Sequence, residues 1–172
     1  ASDVYKRQVQ YNWTNVNFTP PENKDLVIYE LLVRDFVSSH SYLTLIDTLD
    51  YLKELGINAI ELMPPNEFEN NESWGYNPSF HMALDKYYGT PDHFKAFIDS
   101  CHGRGIAVIS DIVFNHAFGQ SPMLKLYWDG VNNRPAANNP WFNVVCPHPP
   151  YCWGYDYNHE SLATQNFIDR VN

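Results

Sequence analysis

Residues 106–116 decide the fold, and they read Ile106-Ala107-Val108-Ile109-Ser110-Asp111-Ile112-Val113-Phe114-Asn115-His116. The nearly continuous apolar run up to Val113 is typical of a strand buried on both faces, as in a parallel sheet. Two similar runs lie earlier in the chain, at residues 26–33 and 57–63. The sequence therefore predicts three buried strands.

Helical patterns lie between these strands. Residues 41–55 have apolar side chains at helical spacing and are followed by Gly56, which predicts a helix with a glycine cap. A second helix is predicted from Thr90-Pro91, an N-cap followed by proline, to Gly103 or Gly105. Alternating strands and helices predict consecutive βαβ units, although periodicity alone does not choose between an open doubly wound sheet and a barrel.

The rest of the chain divides into less regular segments. Residues 1–24 have no periodic pattern and are interpreted as a leader and linker, ahead of strands and helices in residues 25–116. Residues 117–160 are rich in Asn, Pro and aromatic side chains, which favours an inserted loop-rich domain. A further helix is predicted to begin in residues 161–172.

Composition excludes several classes of partner. The chain has 172 residues and a net charge of −9, with scattered basic residues, so neither nucleic acid nor an anionic membrane surface is expected to bind. No window approaches the length of a membrane-spanning helix. An uncharged polar substrate fits this excess of acidic over basic residues best. The sequence does not predict the cellular compartment.

Cys146 and Cys152 flank a proline-rich loop and are predicted to form a short local disulfide. The alternatives are two free thiols and a zinc pair with His148, although the spacing matches no common zinc pattern. Cys101 falls within a helical pattern and is predicted to be a small core residue.

Three places follow the ends of the predicted strands, where ligands bind in parallel α/β folds: residues 34–36, the loop at 64–88, and Asn115-His116. The third place is the most specific, because Asp111 adds a carboxylate to the amide of Asn115 and the imidazole of His116. Each residue alone has an ordinary explanation, since an aspartate commonly caps a turn and a lone histidine commonly packs.

Four motifs in order resemble one family. Residues 111–116, with the form Asp-x-Val-x-Asn-His, resemble the first signature motif of the α-amylase family (glycoside hydrolase clan H, family 13). The other three motifs are Trp74-Gly75-Tyr76-Asn77-Pro78, Tyr88-Gly89-Thr90-Pro91 and His102-x-Arg104-Gly105-Ile106-Ala107-Val108. They resemble most closely its branching-enzyme, isoamylase and bacterial α-amylase-like members. The resemblance implies that the chain is the N-terminal portion of a (β/α)8 TIM barrel, truncated, with a loop domain inserted after the third strand.

The resemblance also implies roles for single residues in substrate binding. Tyr76 resembles the tyrosine that stacks on the sugar at the cleavage subsite, and Trp74 lies in the same motif. His116 resembles the histidine that hydrogen-bonds the primary hydroxyl of that sugar. Asp111 resembles a residue that positions other groups at the base of the site and is not itself catalytic.

A structural calcium ion is a further implication. Asn115 resembles an asparagine that ligates Ca²⁺ in many members, and Asp156 resembles an aspartate of the inserted domain that adds a second contact. The motif around Asp156 departs from the family pattern, because Gly154-Tyr155 replaces Leu-Pro. Many branching-enzyme and isoamylase members also lack this ion.

In this family the catalytic carboxylates come from the fourth, fifth and seventh strands, and none of these strands is recognised here. We therefore expect a fragment of a retaining glycoside hydrolase that acts on an α-glucan or maltooligosaccharide and is inactive by itself. The alternatives are a fragment of a glucan-branching transferase or a non-catalytic glucan-binding relative. Exposed strand edges predict poor solubility or self-association.

Overall fold

The computed structural model describes residues 10–172, so residues 1–9 of the predicted leader and linker lie outside the described residues. The chain forms two compact units. The first unit comprises residues up to 61 and residues 89–109, and the second comprises residues 62–88 and 110–172. Within the described part, none of the helices is long and apolar enough to span a lipid bilayer.

The first unit is built on a three-stranded sheet. Its strands are β1 (Ile28–Leu31), β2 (Ala59–Leu62) and β5 (Ala107–Ser110), in the order β1-β2-β5. The N–H of Ala107 donates to the carbonyl of Asn58, and the N–H of Asp111 donates to the carbonyl of Leu62. In both bonds the donor follows the acceptor by the same number of residues. Strands β2 and β5 therefore run in the same direction, as the βαβ pattern predicts.

Four helices accompany this sheet: α1 (Val33–Phe36), α2 (Tyr42–Ile46), α3 (Leu49–Glu54) and α4 (Pro91–His102). The single helix predicted over residues 41–55 is two short helices, α2 and α3, separated by a turn at Asp47 and Thr48. Their apolar faces are nevertheless as predicted, since Leu45, Leu49 and Leu52 are fully buried.

Helix α4 begins and ends where the sequence predicts. The hydroxyl of Thr90 accepts from the N–H of His93, and Pro91 occupies the first turn. The helix ends at His102 with Gly103 as its cap. Phe97 is fully buried and stacks with Tyr42 of α2 at a centroid distance of 6.3 Å. Cys101 is also fully buried, which confirms its prediction as a core residue.

The second unit begins with a hairpin where the sequence predicts only a long loop. Strands β3 (Asn66–Phe68) and β4 (Pro78–Leu84) pair in antiparallel fashion, with irregular register. The alternation of apolar and polar residues that normally predicts a strand is weak here, because β3 is only three residues long and its pairing with β4 shifts at each residue. Phe68 supplies a fully buried side chain at the end of the shorter strand.

The remainder of the second unit consists of short elements: α5 (Pro122–Leu126), β6 (His116–Ala117), β7 (Trp128–Asp129), β8 (Arg134–Pro135), β9 (Tyr155–Asp156) and α6 (Leu162–Val171). Strand β6 pairs with β9, and β7 pairs with β8. Ala117, Leu124, Phe142 and Tyr157 form the core of this part. The predicted disulfide between Cys146 and Cys152 is present, with a Cα–Cα distance of 5.9 Å.

The segment predicted as a linker contains a fixed attachment point. Residues 10–22 form neither helix nor strand, but the carboxylate of Asp99 on α4 accepts four hydrogen bonds from Thr14 and Asn15, at 2.6–3.1 Å. Burial of Asp99 would by itself raise its pKa, yet the hydrogen bonds outweigh burial and lower the pKa to about 2. The ring of Phe18 also stacks on the ring of His102, at a centroid distance of 4.1 Å.

Replacement of Asp99 by asparagine is expected to lower the free energy of unfolding at pH 7 by about 1–3 kcal/mol, because charge-assisted bonds to Thr14 and Asn15 are lost. The folded pKa lies below the unfolded value of 3.8, so this stabilisation is present above pH 4 and is lost as pH falls towards 2. Urea unfolding across this pH range, with exposed Asp47→Asn as the control, measures the effect. An equal loss of stability at pH 2 and pH 7 would contradict it.

Candidate functional site

The loop of residues 73–77 comes close to the residue that follows β2. Gly75 has a φ of +95°, and a Cβ at this position would lie 2.4 Å from the carbonyl oxygen of Pro64. A side chain therefore meets both backbone strain and a direct collision with main-chain atoms, so only glycine fits. This contact presses the loop that carries Trp74 and Tyr76 against the end of the strand.

Tyr76 and Asp111, which are 35 residues apart, meet directly. The phenol of Tyr76 donates a hydrogen bond of 2.6 Å to Oδ2 of Asp111. The backbone N–H of Asp111 in turn donates to the carbonyl of Leu62 at 3.0 Å, which anchors the aspartate at the end of β2. Asp111 thus holds the tyrosine ring in place, while its positioning role in catalysis stays a prediction.

His116 attaches the same tyrosine from the other side. Its Nε2 lies 2.9 Å from the carbonyl oxygen of Tyr76, and its Nδ1 lies 3.1 Å from Nδ2 of Asn115. Because a carbonyl can only accept, Nε2 carries the proton and Nδ1 accepts from the amide of Asn115. Burial lowers the pKa of His116, although the carbonyl of Tyr76 and the charge of Asp156 act in the opposite direction. The ring is therefore neutral near pH 7.

Both nitrogens of His116 are thus engaged with protein groups. A sugar hydroxyl that contacts this ring, as the resemblance implies, must share or replace one of these bonds. The amide of Asn115 is the easier group to displace, since Asn115 is exposed at the surface whereas the carbonyl of Tyr76 belongs to the braced loop. The edge of the ring also packs against Phe118, at a centroid distance of 5.7 Å.

The two residues implied for calcium lie at one strand pair. His116 is paired with Asp156 across β6 and β9, and the N–H of Tyr157 donates to the carbonyl of Asn115 at 3.1 Å. The buried carboxylate of Asp156 accepts a 2.7 Å hydrogen bond from Nδ2 of Asn143. Because the amide nitrogen of Asn115 is bonded to His116, its amide oxygen is the atom that fits a cation.

The donor set at this strand pair is small. Amide and carboxylate oxygens suit a hard ion such as Ca²⁺, which takes six to eight oxygen ligands. Among residues 10–172 there is no group of three or more His, Cys, Asp and Glu side chains that could hold a metal. Asn115 and Asp156 therefore fit calcium by chemistry, while most of the ligands would have to be carbonyl oxygens or water.

Sequence reasoning missed the side chains that brace the loop. Asn77 donates to the carbonyl of Glu69 at 3.1 Å and is hydrogen-bonded to the hydroxyl of Ser73, which also accepts from the N–H of Gly75. Oε2 of Glu69 accepts from the N–H of Gly119 at 3.0 Å. Asn77 lies inside the quoted motif and could have been singled out, whereas no local pattern marks Glu69.

The structure therefore brings Tyr76, Asp111, Asn115 and His116 into one hydrogen-bonded chain, and it places Asp156 beside His116. Trp74 is different, because it lies on the same loop with 63% of its surface exposed. The arrangement presents one aromatic ring with fixed orientation, one positioned carboxylate and one neutral imidazole. Such a set can hold an uncharged, hydroxyl-bearing ring.

A family model described as "Alpha amylase, catalytic domain" matches residues 42–168, which includes the whole of this arrangement. The chain belongs to the α-amylase family. The family predicted from the four motifs is thereby confirmed.

Individual α-amylase-family proteins are similar over much of this chain. Malto-oligosyltrehalose trehalohydrolase of Saccharolobus solfataricus is 40% identical over 155 residues, which is 90% of this chain and 25% of that protein. The chloroplastic isoamylase SU1 of Zea mays is 38% identical, over 64% of this chain and 18% of that protein. The chain thus spans a quarter or less of the length of these curated relatives.

The solved structures agree on the fold. The crystal structure of a putative α-amylase from Salmonella typhimurium matches with a TM-score of 0.80 and 32% identity, over 94% of this chain and 25% of the other. The fold of this α-amylase-family chain is therefore part of a (β/α)8 barrel, as predicted, and the open doubly wound alternative is wrong.

Proposed function

We propose that this chain supplies part of the sugar-binding site of an α-glucan-active glycoside hydrolase. The observation that carries the proposal is the double attachment of Tyr76, whose phenol is bonded to Asp111 and whose carbonyl is bonded to His116. A ring held at both ends is oriented before the ligand arrives, so little conformational entropy is lost on stacking against a sugar.

The chemistry of the ligand follows from the same groups. A neutral imidazole and an aromatic ring favour an uncharged ring with hydroxyl groups, and the net charge of −9 opposes a polyanion. The names of the relatives, a malto-oligosyltrehalose trehalohydrolase and an isoamylase, support a maltooligosaccharide or a related α-glucan. They also favour a hydrolase over a branching transferase.

The proposed reaction is hydrolysis with retention, which needs a nucleophilic carboxylate and an acid/base carboxyl about 5 Å apart. Asp111 does not suit either role, because its carboxylate already accepts a hydrogen bond from the phenol of Tyr76 and fixes that ring. We therefore assign the chemical step to groups outside these 172 residues and assign binding to the residues described here.

Binding is tested by titrating the chain with maltoheptaose and recording heat by calorimetry. Tyr76→Ala is expected to weaken binding about five- to tenfold, because the stacking ring is lost. Tyr76→Phe keeps the ring and is expected to weaken binding by less than about threefold, since the bond to Asp111 is lost while the stacking face remains. Tyr51→Ala removes an exposed tyrosine of α3 and is the control. Equal affinities for all four proteins would count against the site.

Catalysis is tested with the same purified chain. No release of reducing sugar from soluble starch above the buffer background is expected, because we assign the carboxylate pair to groups other than the residues described here. Release that is abolished by Asp111→Asn would show that Asp111 acts in the chemistry and would overturn this division of roles.

We also propose that Asn115 and Asp156 contribute oxygen ligands to a structural Ca²⁺. The two residues lie at the strand pair that carries His116, so a bound ion would stabilise the β6–β9 pairing next to the site. The ion would supply no step of the reaction, and its role would be to hold this part of the second unit together.

Calcium at 1 mM, about the upper end of Kd values for sites with few charged ligands, is expected to raise the melting temperature, and a chelator is expected to reverse the change. Asp156→Asn should remove most of the increase because the only ligand charge is lost. Asp169→Asn, an exposed position on α6, should retain it. Thermal melts followed by circular dichroism measure both, and an identical calcium response in the two variants would refute the assignment.

A further inference from the structure

The loop closed by the disulfide carries two large aromatic side chains in water. We call residues 146–153 the disulfide loop. Tyr151 is 85% exposed and Trp153 is 65% exposed, on either side of Cys152. The exposure does not come from a loose backbone, since the disulfide joins Cys146 to Cys152 and the N–H of Tyr151 donates to the carbonyl of His148 at 2.8 Å. Aromatic surface that is held in water in this way is available to a ligand.

The disulfide loop ends directly beside the strand that carries His116. Gly154 follows Trp153 with a φ of +60°, and a Cβ there would lie 2.7 Å from the carbonyl oxygen of Ala117 and 3.0 Å from the ring of Phe118. Ala117 pairs with the next residue, Tyr155, across β6 and β9. The loop is therefore attached to the site by main-chain contact.

The charge of this region restricts the kind of ligand. From Pro135 to Tyr155 the sequence contains no Asp, Glu, Lys or Arg, although the whole chain has a net charge of −9. A nucleic acid, a phosphorylated molecule or a charged peptide finds no ionic partner here. An uncharged molecule with apolar faces matches both the rings and the absence of charge.

We propose that Tyr151 and Trp153, held by the Cys146–Cys152 disulfide, form a second sugar contact that stacks on glucose units of an α-glucan whose other end occupies the Tyr76 site. This inference rests on the proposed function and extends it to the chain length of the ligand. A pyranose ring has apolar C–H faces and a hydroxyl rim, so it covers an aromatic ring while its polar groups remain in water. In this proposal a disaccharide occupies the Tyr76 site alone, and a longer oligosaccharide gains the second contact.

The proposal predicts a dependence on ligand length. Trp153→Ala and Tyr151→Ala are each expected to weaken the binding of maltoheptaose about three- to tenfold. The same variants should change the binding of maltose by less than about twofold. Trp153→Phe keeps an aromatic face and should recover most of the affinity, and Tyr87→Ala, which removes an exposed tyrosine elsewhere in the second unit, should have no effect.

The contribution of the disulfide is tested separately. The double variant Cys146→Ser/Cys152→Ser leaves both rings in place but releases the loop, so the rings lose their fixed arrangement. We expect it to weaken maltoheptaose binding as Trp153→Ala does, without a change for maltose. Far-UV circular dichroism, which must match the unchanged chain, shows that each variant is folded.

The outcomes separate this inference from the proposed function. If maltoheptaose affinity is unchanged in Trp153→Ala and Tyr151→Ala but falls in Tyr76→Ala, the loop contact is wrong and the Tyr76 site stands. If binding survives Tyr76→Ala and is lost in the loop variants, the loop contact stands and the Tyr76 site is wrong. No binding of any sugar overturns both. If Trp153→Ala instead converts a dimer into a monomer in sedimentation experiments, the rings form an interface between copies and the inference fails.

Discussion

The double attachment of Tyr76 is the constraint on which the site depends. Its phenol is bonded to Asp111 and its carbonyl to His116, so one residue joins the loop before β4 to the strand end that precedes β6. The bond to the carbonyl also decides the protonation of the imidazole, because Nε2 must donate. A shift of this loop would therefore change the orientation of the aromatic ring, the donor available to Asp111 and the tautomer of His116 together.

The close approach at Gly75 makes that attachment possible. The loop that reaches Asp111 passes over the carbonyl of Pro64 at a distance that no Cβ tolerates. Ser73 and Asn77 then hold the two sides of the glycine through their hydroxyl and amide groups. These are short-range contacts between polar groups and main chain, so the geometry does not rely on a large apolar core beneath the loop.

The sequence was most informative where regular elements or motif residues are involved. The three strands, the capped start of α4 at Thr90 and the family followed from apolar runs and from motifs that are local in the chain. The prediction that each strand is buried on both faces was wrong for β1, since Ile28 is 47% exposed. The break between α2 and α3 was missed because the apolar faces on both sides of the turn keep helical spacing. The attachment of Thr14 to Asp99 was missed because it joins residues 85 positions apart, and nothing local marks either partner.

The difference between local patterns and contacts distant in the chain also explains why the site was only partly predictable. Tyr76, Asp111 and His116 could each be selected from motifs, but the direction of every hydrogen bond depends on which groups folding brings together. The partners that most restrict the site are backbone atoms, namely the carbonyls of Tyr76 and Pro64. Every residue has such a carbonyl, so the sequence does not indicate which one contacts the site. Motifs therefore indicate which side chains are present, whereas orientation and protonation come from the main chain. For a sugar site this matters, because ring orientation decides which sugar face is covered and so which hydroxyl groups can reach His116.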